Sequence, residues 1–279
     1  MKILGEKKRE PKTHFPVHNK LTLVSIISIV SVVLICIVSI SALLNRDRFY
    51  PHEALVLTFV PNDIVYLAIG VPMILLSMVN TWRSKLIGLL FWAGAILFSI
   101  YNSIAYVIAL PFNWGFLIHL LLVILNSYSL LFLFLSINGE ELASALQNKV
   151  YEKLCGGVLA GFGILFFLRA FFVFLGAIIS GNILSETEIA PNLSDAVIGP
   201  AFVILGISLW RKKAWGYIGG LGFLFLASML FVALLVFFLL QPTLTNAPFA
   251  PVDFIVVFAM GLICFVPFGL FIRGVGKSG

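Results

Sequence analysis

Charged side chains are scarce in this sequence. Asp, Glu, Lys and Arg make up 11% of the 279 residues, whereas a soluble globular domain carries about 25%. Hydrophobic residues make up 61%, and 27 of them are phenylalanine. A chain of this composition must be solvated mainly by lipid, so the scarcity of charge excludes an ordinary soluble domain and predicts an integral membrane protein.

Cysteine is scarce too. The three cysteines, Cys36, Cys155 and Cys264, lie in or beside apolar stretches and form no CxxC pair. This spacing argues against a disulfide framework and against a cysteine-ligated zinc site. We interpret all three as small buried apolar side chains.

The motifs that mark membrane enzymes are also missing. The sequence has no HExxH motif, no GxSxG motif and no histidine-rich metal box. His119 is the only histidine expected in the middle of a membrane helix, so a pair of haem ligands is not available. These absences predict a protein that is not an enzyme and that carries no metal or cofactor.

Eight apolar stretches meet or approach the length of about 20 residues that a helix needs to cross a bilayer. They cover roughly 21–44, 63–80, 86–110, 115–137, 154–179, 195–210, 214–240 and 252–272. The second and sixth are the shortest and contain Pro72 and Pro200, which predict a kink in each helix. We therefore predict an all-α integral membrane protein with eight transmembrane helices.

The basic residues sort onto one side of this arrangement. All but three of the 18 lysines and arginines lie in the N-terminal tail or after an even-numbered stretch; the exceptions are Arg46, Arg48 and Arg169. By the positive-inside rule, both termini are expected to be cytoplasmic, in a multi-pass protein of the cell membrane. The net charge of +6 is dispersed over short loops and is read as a topology signal, so we expect no nucleic-acid partner.

One motif occurs twice, 128 residues apart. The pattern WRxKxxGxxxxxG begins at Trp82 and again at Trp210, and Pro72 and Pro200 share the same offset. Each copy would hold four helices, and an even number gives both copies the same orientation in the membrane. The predicted organisation is therefore two parallel four-helix repeats: a basic cytoplasmic tail at 1–20, repeat 1 at 21–137, an amphipathic cytoplasmic linker at 138–153 and repeat 2 at 154–279.

Residues around the first copy of the motif resemble a known group of proteins. The similar segments are Trp82-Arg83-Ser84, Trp92-Ala93-Gly94, Tyr101-Asn102 and Phe112-Asn113-x-x-Phe116-Leu117. They resemble uncharacterised prokaryotic multi-pass membrane proteins. The resemblance implies a class of protein and no particular activity.

Polar residues distinguish the two copies. In the first copy, Asn102 and Tyr106 are four residues apart and share a face of the third helix. His119 and Asn126 lie on the fourth helix at comparable depths, because the two helices form a hairpin. At the offset of the repeat, Asn102 and Tyr106 are replaced by leucines. The first copy therefore has a polar stripe that the second lacks.

The second copy contributes Arg169, inside its first apolar stretch. An arginine at the centre of a membrane helix costs roughly 2.5–3.5 kcal/mol on insertion scales, so it should face protein, water or a ligand. No acidic residue is expected in the middle of a span. Asp63, Asp195 and Asp253 fall near predicted outer helix starts, where a carboxylate serves as an N-cap.

These residues suggest a binding site. We hypothesise an outward-facing polar cavity formed by Asn102, Tyr106, His119 and Asn126, in which Arg169 presents an unneutralised positive charge. Such a site suits an anionic or zwitterionic ligand, for example a carboxylate or a lipid phosphate. In the alternative, Arg169 bonds backbone carbonyls or reaches Asp63 or Asp195, and the stripe forms hydrogen bonds between helices.

Three classes of function remain open at this point. A transporter, permease or lipid-handling protein accounts for the duplication and for the buried polar residues. A non-catalytic membrane scaffold or sensor accounts for the missing catalytic motifs. A membrane enzyme that uses His119 with Tyr106 or Asp63 ranks third. The expected partners are the lipid bilayer and an anionic or lipid-like ligand, and the oligomeric state stays open.

Overall fold

The computed structural model describes residues 15–17 and 21–277, which are helical apart from short connections. In this part of the chain, eight helices are long and apolar enough to cross a membrane, as the sequence predicted. The predicted basic tail at 1–20 lies almost wholly outside the described residues. We number the helices spans 1 to 8: Thr22–Leu44, Glu53–Trp82, Leu86–Ala109, Trp114–Ser136, Glu152–Ser180, Glu186–Trp210, Ala214–Leu244 and Pro251–Gly276.

Two short helices connect the spans. Arg46–Phe49 lies between spans 1 and 2, and Gly139–Leu146 lies between spans 4 and 5. The second of these is the amphipathic helix expected in the linker, and it buries Leu142 and Leu146. Asn138 caps its first turn by accepting a hydrogen bond from the Glu141 backbone N–H at 3.2 Å.

Spans 2 and 6 are longer than the sequence indicated. They begin at Glu53 and Glu186, about three turns before the apolar stretches. A capping box starts span 6: the Ser185 hydroxyl and backbone N–H both pair with the Glu188 side chain. The polar residues that follow lower the local hydropathy, although they are helical.

Span 2 also contains an irregular turn. Residues Tyr66–Gly70 form a π-helical turn directly before Val71 and Pro72. Proline cannot donate a backbone hydrogen bond, and its ring crowds the preceding turn. The π-helical turn therefore lies just before Pro72, the residue at which the sequence predicts a kink.

The repeated motif folds into two turns of the same conformation. Ser84 and Lys212 both adopt left-handed backbone angles, with φ of 56° and 55°. In each turn the next residue, Lys85 or Lys213, donates its backbone N–H to the carbonyl five residues earlier, at 3.1 and 2.9 Å. This is the hydrogen bond of a Schellman helix end. We call the side of the bundle with these turns the motif side and the opposite side the far side.

Spans 3 and 7 form the centre of the bundle. Span 3 packs against spans 2, 4, 6 and 7, and span 7 packs against spans 2, 3, 6 and 8. Spans 4, 5 and 8 are the least buried and expose large apolar side chains, as expected where a helix meets lipid. The buried residues of span 3 and the face it shares with span 7 position the candidate site.

Candidate ligand-binding cavity

A cavity of about 520 Å³ lies between spans 2, 3, 5, 6 and 7. Much of its wall is apolar, and five phenylalanines contribute to it: Phe59, Phe98, Phe166, Phe231 and Phe237. Thr187 and Glu188, in the first turn of span 6, also line it, so the cavity reaches the far-side end of that helix. A cavity of this size, with an apolar wall and few polar groups, is typical of small-molecule sites.

An ion pair supplies charged groups to the wall. The Arg169 guanidinium lies 2.6 Å from Asp195 Oδ2, and the Tyr101 hydroxyl donates to Asp195 Oδ1 at 2.9 Å. The Arg169 side chain is 50% exposed, whereas Asp195 is 7% exposed. The expectation that Arg169 is unneutralised is therefore wrong, because span 6 carries Asp195 in its tenth residue, inside the helix.

Arg169 keeps binding capacity despite this pair. A guanidinium has five N–H donors, and the bond to Asp195 uses one terminal nitrogen. Its carbon also lies 5.9 Å above the Phe166 ring centroid, in the range of a cation–π contact. The half-exposed head therefore faces the cavity as a positioned donor beside an aromatic wall.

A second polar cluster lies behind the cavity wall. Asp63, in span 2, is 0% exposed. It accepts hydrogen bonds from the Tyr50 hydroxyl at 2.5 Å and the Tyr106 hydroxyl at 2.8 Å. Asn62 donates to the Tyr106 oxygen at 3.1 Å. Burial and the Asp63 charge raise the pKa of Tyr50, which lies outside the spans, so its hydroxyl remains a donor.

The expected N-cap roles of two aspartates are not observed. Asp63 is the eleventh residue of its helix, and Asp195 is the tenth. The residues in the N-cap positions are His52 and Ser185. Asp253, by contrast, does lie in the first turn of its helix. Both Asp63 and Asp195 are therefore acidic residues inside spans, which the sequence analysis did not expect.

The predicted site residues do not meet in one cavity. Asn102 and Arg169 line the cavity. Tyr106 turns instead to Asp63, and the His119 ring stacks on it with centroids 4.0 Å apart and planes at 1°. Asn126 donates to Ser99 Oγ at 3.0 Å, in the interior between spans 3 and 4. Tyr106 therefore donates its hydrogen bond to Asp63 of span 2 and does not line the cavity.

Several residues of the cavity were not among the predicted ones. Tyr101, Asp195, Asn62 and Asn192 all line it. A signal was available on span 6, where Glu188, Asn192 and Asp195 are spaced four and three apart. This spacing puts them on one face of a helix, although the same segment reads as a loop by hydropathy.

The described residues contain no group of three or more His, Cys, Asp or Glu side chains that could hold a metal ion. No family model matches the chain, and no curated protein or solved structure matches it. The resemblance to uncharacterised prokaryotic membrane proteins thus stays a prediction.

Proposed function

We propose that this membrane protein is a transporter-like or lipid-handling protein that binds an amphipathic molecule with a zwitterionic head in the cavity. One observation carries the proposal: the half-exposed Arg169 and its nearly buried partner Asp195 form an ion pair on the wall of a cavity that is otherwise mostly apolar. The head group binds at the ion pair, and the apolar part of the ligand packs against the phenylalanines. Ion pairs inside membrane proteins commonly mark such pathways.

The ion pair favours a zwitterionic ligand over a simple anion. Asp195 already neutralises Arg169, so an anion would have to compete with a carboxylate that is fixed 2.6 Å away. A zwitterion brings both charges, and its anionic group meets Arg169 while its cationic group meets Asp195. The sequence left both anionic and zwitterionic ligands open, and the ion pair favours the zwitterionic class.

The location of the cavity fits a duplicated transporter. We propose that spans 1–4 and spans 5–8 are two parallel units related by an approximate twofold axis. The identical turns at Ser84 and Lys212 support this proposal. So does the contact between Gly94 and Gly222, which occupy the same place in the two motifs. Transporters built from repeats place the substrate site between the repeats, and the cavity uses spans of both units.

The proposed orientation places the motif side in the cytoplasm. Arg83, Lys85, Arg211, Lys212 and Lys213 all lie at the two turns, and the positive-inside rule then puts the far side outside the cell membrane. In this orientation the cavity reaches the outer end of span 6. The protein would take up its ligand from the outer leaflet or the external solution.

A second candidate, a non-catalytic scaffold or sensor, is favoured by the closed polar cluster. Tyr106, His119 and Asp63 are buried and contact one another or a common neighbour, as in groups that fix helices in place. The same enclosure counts against the third candidate, an enzyme that uses these residues, because a substrate would need access to them.

A lipid-binding screen tests the proposal. Purified protein is heated with short-chain phosphatidylethanolamine, phosphatidylcholine, phosphatidylglycerol or diacylglycerol, and its melting temperature is recorded. We expect the zwitterionic lipids to stabilise the wild type by up to about 2.7 kcal/mol at a hundred times Kd. Arg169→Gln should lose this stabilisation, while Arg211→Gln, at an exposed turn, should keep it. Equal stabilisation of both variants, or none by any lipid, would reject the proposed site.

A further inference from the structure

Asp63 is a carboxylate without a cationic partner. It is fully buried, and the one ion pair among the described residues joins Arg169 to Asp195. Its hydrogen bonds from Tyr50 and Tyr106 measure 2.5 and 2.8 Å, near the lengths of charge-assisted bonds to an ionised acid. A buried charge that lacks a counter-ion is costly. The two phenol hydrogen bonds stabilise the Asp63 carboxylate but carry no positive charge, so a bound cation or proton is needed to neutralise it.

The surrounding elements offer no fixed cation for this purpose. The connection before span 2 presents Tyr50, whereas Arg46 and Arg48 are exposed. Span 3 presents Tyr106, and span 4 presents His119 behind the Tyr106 ring. The other titratable side chains of these elements are exposed or have other partners. Tyr66 of span 2 bonds Ser99, Tyr101 of span 3 bonds Asp195, and Tyr217 of span 7 bonds Glu152. The rest lie elsewhere: Cys36 in span 1, His52 and Glu53 at the exposed start of span 2, Tyr128 on the exposed face of span 4, and Glu186, Glu188 and Asp195 in span 6. Span 7 has no charged side chain.

The Asp63 cluster is connected to the cavity by one residue. Asn62 lines the cavity and donates its amide N–H to the Tyr106 hydroxyl, which in turn donates to Asp63. The Tyr106 ring is held between His119 at 4.0 Å and Phe59 at 4.6 Å. A change at Asp63 must therefore act through hydroxyl rotation and through Asn62, because the ring itself has no room to swing.

We propose that Asp63 is a proton-binding site and that its occupancy is coupled to ligand binding through Tyr106 and Asn62. A proton from solvent adds to a carboxylate oxygen of Asp63, and the new O–H donates to the Tyr106 oxygen. The Tyr106 hydroxyl hydrogen rotates away from Asp63, and the Asn62 amide is released towards the cavity. No covalent bond within tyrosine or asparagine changes.

The coupling has a defined sign. Protonated Asp63 frees the Asn62 donor for the ligand, so ligand affinity rises as the pH falls. By linkage, ligand binding then takes up a proton. The coupling rests on the proposed function, whereas proton binding by Asp63 does not, and the two are tested separately.

Infrared difference spectra between low and high pH test the proton site without any ligand. Wild type should show the carbonyl stretch of a protonated carboxylic acid, and Asp63→Asn should lose that band. Asp253→Asn is the matched control, because it removes an exposed carboxylate at a helix start and should leave the band in place. If Asp63→Asn folds poorly, Tyr50→Phe serves instead, because loss of one phenol donor should move the midpoint of the band to higher pH. A band unchanged in both variants overturns the proton site.

Calorimetry tests the coupling. Binding of short-chain phosphatidylethanolamine is measured at one pH in two buffers of different ionisation enthalpy. Wild type and Asp253→Asn should take up a proton on binding, and Asp63→Asn should take up none. Equal uptake in wild type and Asp63→Asn would overturn the coupling. Failure of every variant to bind lipid would overturn the proposed function and the coupling, while the infrared result would still decide the proton site.

A binding heat for sodium that Asp63→Asn removes would assign Asp63 to a metal cation and overturn the proton site.

Discussion

Gly94 in span 3 and Gly222 in span 7 pack against each other where the two central helices cross. A Cβ atom placed on Gly94 would lie 2.7 Å from the Gly222 carbonyl oxygen, whereas one placed on Gly222 would lie 3.3 Å from the Ala93 Cβ. Glycine permits this approach because it has no side chain, and small residues are the usual means of close packing between membrane helices.

This contact predicts how three glycine-to-alanine substitutions rank by the thermal stability that they cost. Gly94→Ala should lower the melting temperature most of the three, because overpacking reduces the free energy of unfolding by about 1–3 kcal/mol. Gly222→Ala should cost less, because its neighbours need to move only slightly. Gly161→Ala is the control, since a Cβ there meets nothing within 4 Å. If Gly161→Ala proved as damaging as Gly94→Ala, the crossing would not have the importance we give it.

The ion pair predicts non-additive stability effects. Asp195→Asn leaves the Arg169 charge without its partner inside the membrane, and Arg169→Gln leaves the buried Asp195 carboxylate with a hydrogen bond from Tyr101 only. The double variant removes both charges and should be more stable than the sum of the single effects implies. Chemical or thermal unfolding in one detergent measures this coupling, which for residues in contact is about 0.5–3 kcal/mol. Strict additivity would mean that the two charges do not interact.

His119 is predicted to be structural. It is 1% exposed, it stacks on Tyr106, and its Nδ1 has no hydrogen-bond partner among the described residues. His119→Phe keeps an aromatic ring in the stack and removes a buried polar atom, which otherwise costs about 1–3 kcal/mol when unpaired. We expect unchanged or higher stability and an unchanged lipid-induced shift in melting temperature. His119→Ala, the control, should be destabilised because it removes the ring altogether; lost lipid binding in His119→Phe would give His119 a direct role.

The sequence predicts the motif-side ends of the helices well and the far-side ends of spans 2 and 6 poorly. At the motif side, the ends at Trp82 and Trp210 agree with the positions of the basic turns. At the far side, Thr58, Asn62 and Asn192 line the cavity, and their polarity makes a helical segment resemble a loop. The polar residues that line the cavity therefore also lower the hydropathy of these helical segments, which is why the sequence did not predict them as membrane helix.

The sequence predicts two of the residues that line the cavity but not their partners. Arg169 and Asn102 do reach the cavity, because a charged or amide group inside a span needs a polar environment. The partner of Arg169 comes from span 6, and the partner of Tyr106 comes from span 2. Asp63 and Asp195 stand at the first residues of the predicted spans. The pairing of Arg169 with Asp195 was one of the alternatives that the sequence left open, whereas the pairing of Tyr106 with Asp63 was not predicted.

The orientation in the membrane is a separate prediction. A single cysteine introduced at Lys212, in the motif-side turn, should react with an impermeant thiol reagent only after the membrane is opened. A single cysteine at Ile183, which is 98% exposed in the connection between spans 5 and 6, should react in intact cells. Both are made in a background where Cys36, the one partly exposed natural cysteine, is replaced by alanine. The reverse pattern would invert the proposed topology.

Native mass spectrometry of the protein released from its own membrane tests the central claim most directly. If the cavity holds a zwitterionic amphipathic ligand at the ion pair, the wild type will retain a bound lipid of that class. Arg169→Gln will have lost it, and Arg211→Gln will retain it. Equal retention of the same lipid by all three proteins, or a wild type that carries none, would contradict the claim that the Arg169–Asp195 pair is a ligand site.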